Sequence, residues 1–288
     1  MLNKTRYILE YCIFIVFYHC FAFLPFKVAS KMGALIGIYL GLFLSADKVA
    51  KKNLKMVFPE KEEKELEKIS KGVWKNMGRY IAEFPHIVRM DNDELSDVLE
   101  VRGKENLQAA IKSKKGFVLF SAHFSNFELI AKYVNSQKIK TNMIYRSTNN
   151  PYINKKILSA RNYDYFFHHH KGMKAMPNIV KSLLRGEVIA SFIDQKLNEG
   201  EKIKFMGNDA MTGTLPANMA LKYKSLLLPV HVLRDKGKYI LIFDPAINPK
   251  NVKLDTPKQI MSHLNKIIAK WIRKDPEQWF WVHNRWVK

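Results

Sequence analysis

The chain has 288 residues, 47% of them hydrophobic, enough for one large domain or two modest ones with a substantial core. Its two cysteines, Cys12 and Cys20, both lie in an apolar N-terminal stretch, which excludes a disulfide framework or a cysteine-based zinc site. Lysine and arginine number 48 against 26 acidic residues, a net charge of +22 spread along the chain, which favours a polyanionic partner: nucleic acid, an anionic membrane surface, a phosphorylated lipid or a small acidic carrier protein.

From Tyr11 to Phe26 the chain is almost wholly apolar and aromatic, flanked by Lys4 and Arg6 before it and Lys27 and Lys31 after it. About 20 apolar residues are needed to cross a bilayer, and this run contains His19 and Pro25, so it reads as a marginal span or an interfacial anchor. No small-residue cleavage site follows, and a second apolar stretch, Met32 to Leu44, comes next. Gly33, Gly37 and Gly41 recur every four residues there, a pattern that lets another helix pack closely. Residues 1–45 are therefore expected to form membrane-anchor helices and residues 46–288 a separate domain; the competing reading makes both stretches buried helices of a soluble core.

Glu60 to Lys71 is a charged run, read as a solvated helix or loop separating anchor from domain, and Val73 to Val88 has apolar residues at helical spacing. From Val101 onward strand and helix signals alternate. Strands are expected over 117–121, 141–145, 188–193, 226–232 and 239–243, and helices over 127–135, 150–160, 177–185, 215–223 and 257–271. Alternation of this kind predicts an α/β fold, a mostly parallel sheet flanked by helices, with the functional site at the C-terminal ends of the strands. No repeat, low-complexity tract or glycine-rich phosphate loop is present.

His123 and Glu128 follow the apolar run Phe117 to Phe120 directly. Five helical residues turn through about 500°, so the two side chains would diverge by roughly 140° on one helix; they suit a strand-to-helix turn instead. An imidazole there can act as a general base and a carboxylate can steady the imidazolium. Asp194 ends another predicted strand and so falls at the same edge of the sheet. By itself a histidine after a strand is more often structural. His168-His169-His170 resembles a metal tract, but its side chains diverge and no Cys or acidic cluster is near in sequence.

Taken together, several blocks carry a specific resemblance. His123 and Glu128 fit an H-x4-D/E motif. Tyr145-Arg146, Asn150 and Arg161 form a second block, and Leu184-Arg185-Gly186 with Asp194-Gln195 a third. Phe205, Gly207 and Thr212 follow, and Pro276-Glu277-Gln278-Trp279 with Trp281, His283 and Arg285 closes the series. In order and spacing these resemble the lipid A late acyltransferases, the lauroyl and myristoyl transferases of Gram-negative bacteria within the lysophospholipid acyltransferase-like group. Many relatives carry Gly-Asn-Trp-Glu where this chain has Ser125-Asn126-Phe127-Glu128, a departure that bears on substrate shape. Residues 1–45 match in character only.

The resemblance implies an O-acyltransferase at the bacterial inner membrane, its site facing the cytoplasm, with acyl carrier protein as donor and a phosphorylated glycolipid as acceptor. No cofactor, metal or nucleic acid is called for. His123 would be the general base, Glu128 would orient its ring, and Arg161 is the first candidate for oxyanion donor. Arg146 is the alternative donor or a ligand for acceptor phosphate. Asp194 could position Arg161 or His123, or form a structural ion pair with Arg146. Acylation of another phospholipid or glycolipid is the nearest alternative, and a basic membrane-bound nucleic-acid-binding or scaffold protein is the alternative from another class.

Overall fold

The computed structural model describes residues 2–170 and 175–286. Four helices come first: α1 (Leu2–Phe23), α2 (Phe26–Gly41), α3 (Ser45–Val57) and α4 (Glu63–Ile87). There follow α5 (Asn92–Val98), β1 (Leu99–Arg102), α6 (Lys104–Lys112), β2 (Val118–Ser121), α7 (Glu128–Ser136), β3 (Thr141–Tyr145) and α8 (Pro151–Ala160). Then come β4 (Phe166–His170), α9 (Ala175–Leu184), β5 (Val188–Phe192), and the hairpin β6 (Glu201–Phe205) and β7 (Asn208–Thr212). The chain ends through α10 (Leu215–Tyr223), β8 (Leu227–Asp235), β9 (Lys238–Phe243) and α11 (Pro257–Lys274).

Seven strands form one sheet in the order β1-β9-β8-β2-β5-β3-β4. The run from β8 to β4 is parallel throughout; β9 is antiparallel to β8, and β1 parallel to β9. The fold is thus α/β, with a mostly parallel sheet flanked by helices. The central strands are apolar on both faces because both faces are covered. Val118 and Phe120 of β2 join the core made with α3, α9, α10 and α11, while Phe117 and Leu119 join the core made with α5, α6 and α7. The strands that sequence periodicity does not mark, β1 and β4, are the two edges of this sheet, where one side needs no apolar partner.

The charged run at 60–71 is not a separator. It is the first part of the 25-residue α4, opened by a capping box between Glu62 and Glu65, with Leu66, Ile69 and Ser70 buried. Charge frequency hid an apolar stripe at helical spacing. Nor does a linker part the N-terminal helices from the sheet, because α2 lies directly on α4. A Cβ on Gly33 would stand 2.4 Å from Gly78 O and from Ala82 Cβ, one on Gly37 2.2 Å from Trp74 O, and one on Gly41 2.1 Å from the Trp74 ring. The glycine row therefore meets a complementary row, Trp74, Gly78 and Ala82, and the two backbones touch. In α1, Lys4–Phe23 is 20 residues long, long and apolar enough to cross a membrane, and only 11% buried. Its inner side is tied to the body: Asn150, which caps α8, donates to Tyr7 O at 2.8 Å and to Glu10 Oε2 at 2.9 Å, and Tyr18 packs on Phe84 of α4.

A Cβ on Gly78 would sit 2.0 Å from Gly33 O and 2.8 Å from Gly37 Cα. Gly78→Leu is expected to force α2 off α4 and to lower the unfolding midpoint by roughly 6 °C or more, since overpacking against backbone costs at least about 2–3 kcal/mol. Ile81→Ala, on the same helix but half exposed, should shift it by less than about 3 °C. Equal shifts would contradict the close approach.

Candidate active site

Strands β2 and β5 are neighbours, paired Ser121 with Phe192 at their C-terminal ends. Two residues further along each chain come His123 and Asp194, and the register sets them side by side. The His123 backbone N–H donates to Asp194 Oδ2 at 2.8 Å, and His123 Nδ1 lies 2.8 Å from Asp194 Oδ1. Trp279 Nε1 also donates to Oδ2, at 2.8 Å. Asp194 has no exposed surface. Burial alone would raise its pKa, but the charge and hydrogen bond of His123, then His283 and the Trp279 indole, hold it well below the ordinary carboxylate range. An ionised carboxylate only accepts, so His123 Nδ1 carries the proton and Nε2 of the neutral ring keeps its lone pair.

That lone pair faces the side-chain amide of Gln195. The His123 side chain is 20% exposed, and Gln195 Nε2 stands 3.4 Å from His123 Nε2. Around the ring stand Phe127 and Phe192, each with its centroid at 4.9 Å, and Phe280 at 6.1 Å. Tyr80 of α4 stacks on Phe127 at 4.9 Å. Aromatic walls thus flank the imidazole and leave its side chain partly exposed. Such a collar lowers the local dielectric and strengthens the His123–Asp194 bond.

Glu128 does not orient the imidazole. Its carboxylate is buried at the N-terminus of α7, where it accepts from Arg161 Nε at 3.0 Å, from Arg161 Nη2 in a close ion pair, and from the Tyr80 hydroxyl at 2.9 Å. The expected His123–Glu128 pair is instead two parallel pairs, His123–Asp194 and Arg161–Glu128. Arg161 in turn has little freedom to serve as an oxyanion donor: burial opposes its charge, and Glu128, then Tyr80, more than offset it. Arg161 caps the C-terminus of α8 and lies over the Phe84 ring, so the ion pair fastens α8 to α7 and α4. Arg146 is exposed just beyond β3 and makes no ion pair with Asp194.

The closing block of the sequence packs behind this pair. His283 lies with Nε2 3.2 Å from Asp194 O and Nδ1 2.7 Å from Phe280 O. Arg285, fully buried, donates to Met211 O at 2.8 Å and Thr212 Oγ1 at 2.7 Å. His283 thus contacts the Asp194 backbone, and Arg285 anchors the same segment to β7. Three contributors carried no sequence signal: Tyr80 and Phe280 look like ordinary apolar positions of a helix and a loop, and Phe192 like the end of a buried strand.

The profile of the family described as bacterial lipid A biosynthesis acyltransferase matches residues 1–288. The chain belongs to this family. It is 25% identical to the lipid A biosynthesis lauroyltransferase of Escherichia coli (strain K12) and 26% identical to the lipid A biosynthesis palmitoleoyltransferase of the same organism. Each match runs over 272 residues, 91% of this chain and 86% of the relative. The 1-acyl-sn-glycerophosphate acyltransferase from Thermotoga maritima aligns with a TM-score of 0.42 and 13% identity, covering 88% of this chain and 96% of that one.

The backbone at Ser125 suits glycine better than serine. Ser125 has φ +52, the left-handed region, is fully buried, and its hydroxyl has no partner among the described residues. Ser125→Gly should therefore keep activity and raise the unfolding midpoint by about 2 °C, while Ser125→Val should lower both; a lower midpoint for the glycine variant would contradict the strain.

Asp194→Asn tests the pair itself. The single amide oxygen must serve the two donors that reach Oδ2, which turns its NH2 toward His123 Nδ1 and moves the ring proton to Nε2. Turnover should fall by about 10³-fold or more with substrate KM little changed. Retention of a tenth of the turnover would remove Asp194 from the mechanism.

Proposed function

We propose that the chain transfers a fatty acyl group from the thioester of acyl carrier protein to a hydroxyl of a lipid A precursor, a phosphorylated glycolipid, as one of the late acylations. The observation that carries this reading is the part-exposed His123 ring, its Nδ1 bonded to Asp194 and its Nε2 beside the Gln195 amide. A lipid alcohol cannot attack a thioester at neutral pH unless its proton leaves as the bond forms. His123 Nε2 accepts that proton while the alcohol oxygen bonds to the thioester carbon; the tetrahedral oxyanion then collapses, the carbon–sulfur bond breaks, and the proton passes to the departing thiolate. Asp194 stabilises the imidazolium between these steps. No covalent acyl-enzyme is formed.

For the oxyanion, the Gln195 side-chain amide beside His123 Nε2 is assigned as a neutral donor, and a fixed donor of this kind is worth about 3–4 kcal/mol. Arg146, exposed at the C-terminal edge of the sheet, is assigned to the acceptor's phosphate, which its planar guanidinium can bind in a two-point fashion. The +22 net charge favours both an acidic carrier protein and an anionic leaflet. Residues 1–45 are assigned to membrane attachment at the inner membrane with the site on the cytoplasmic side, and residues 46–288 to catalysis; the apolar α1 supports this reading.

His123→Ala, purified and presented with acylated carrier protein and a tetra- or penta-acylated lipid precursor, should bind the membrane as before and lose at least about 10²–10⁴-fold in turnover, read by mass spectrometry of the product. Near-normal turnover would remove His123 from the reaction. A product acylated on a glycerophospholipid instead of the lipid A precursor would keep the chemistry and replace the acceptor.

A further inference from the structure

Behind the turn that carries His123 lies a buried carboxylate that acyl transfer does not use. Glu83, on α4, has no exposed surface. Arg234 of β8 donates to both its oxygens, Nη1 to Oε1 at 2.7 Å and Nη2 to Oε2 at 2.9 Å. The Tyr239 hydroxyl donates to Oε2 in a short bond, and Asn126 Nδ2 donates to Oε2 at 2.8 Å. Asn126 is itself fully buried, three residues after His123 and two before Glu128.

A second set of bonds closes the ring. Gln278 Oε1 accepts from the Arg234 backbone N–H at 2.8 Å, and its Nε2 donates to Arg234 O at 3.2 Å. The Gln278 backbone oxygen accepts from Ser125 N–H at 2.6 Å and from Asn76 Nδ2 at 3.2 Å. So α4, β8 and the C-terminal segment grip two consecutive residues of the turn, Ser125 by its backbone and Asn126 by its side chain. The grip has work to do, because Ser125 is held at φ +52, outside any strand or helix ladder that would fix it.

We propose that Glu83 is a positioning residue for acyl transfer, acting through the amide of Asn126 to hold the turn so that His123 stays in line with Asp194. An apolar packing of the same volume could replace the Glu83–Arg234 pair as far as stability is concerned; it could not accept from Asn126. Arg79 and Ser30 also face Glu83, so the carboxylate stays ionised and keeps its acceptor capacity. The inference rests on the acyl-transfer reading of His123, and the tests separate the two.

Asn126→Ala leaves Glu83, Arg234 and Tyr239 bonded to one another and frees only the turn. In the full-length enzyme it should lower kcat by about 10- to 100-fold, as small misplacements of reacting groups do, with KM for acylated carrier protein within about twofold. The nitrogen-15 signals of the His123 ring should also change, because the ring's bond to Asp194 sets them; loss of folded enzyme would lower their intensity and leave their positions in place. Glu83→Gln combined with Asn126→Ala should be no slower per folded molecule than Asn126→Ala alone. If the two effects multiply, Glu83 does not act through Asn126 and the proposal is overturned. Should Glu83→Gln not fold, Asn126→Ala decides: wild-type kcat with unmoved His123 ring signals, alongside an inactive His123→Ala, overturns the proposal and leaves the acyl-transfer reading standing. An active His123→Ala overturns that reading instead.

Discussion

Neighbouring parallel strands that end in step place the residues just past their ends side by side, and the site depends on this constraint for the bond between His123 and Asp194. The bond fixes the imidazole's tautomer and leaves its other nitrogen beside Gln195. It also explains why a carboxylate can be fully buried without neutralising: three donors, two from His123 and one from Trp279, converge on it. The donors come from two constraints. The strand register supplies the two from His123, and Trp279 of the C-terminal segment supplies the third.

Around this bond the charged groups are partitioned into pairs rather than pooled. Arg161 is satisfied by Glu128, and Arg234 by Glu83, each in a buried pair with a tyrosine hydroxyl added. Pairing keeps competing carboxylates off the imidazole, so that Asp194 alone sets its proton. The same pairs tie the α-helical face of the site together. Arg161 links α8 to α7, Tyr80 links α4 to α7, and α4 is in backbone contact with α2 through facing glycines. The apolar N-terminal helices and the His123 turn therefore share one scaffold, α4.

Much of this was legible from residues alone. The sheet class followed from alternating strand and helix signals, β3 and α10 fall on their expected ranges, and the glycine row of α2 foretold a close helix partner. His123, Glu128, Arg161 and Asp194 were all singled out. What could not be read was who pairs with whom. Sequence spacing favoured Glu128 for His123 because it is five residues away, whereas the true partner lies 71 residues on and is chosen by the register of β2 with β5. Long-range pairing in a parallel sheet leaves no local trace. Tyr80, Phe192 and Phe280 escaped for a related reason: an aromatic residue lining a site and one filling a core have the same pattern until the fold brings them to the same ring. The charged run at 60–71 misled because lysine and glutamate on the outer face of α4 outnumber the buried Leu66 and Ile69 on its inner face.

Nitrogen-15 NMR of the imidazole rings bears most directly on the central bond. Among nine histidines, the His123 signals are identified by their loss in His123→Gln. At a pH where the ring is neutral, the account predicts a proton on Nδ1, coupled into a strong hydrogen bond, and a bare Nε2. A proton on Nε2, or rapid averaging between the two nitrogens, would contradict it.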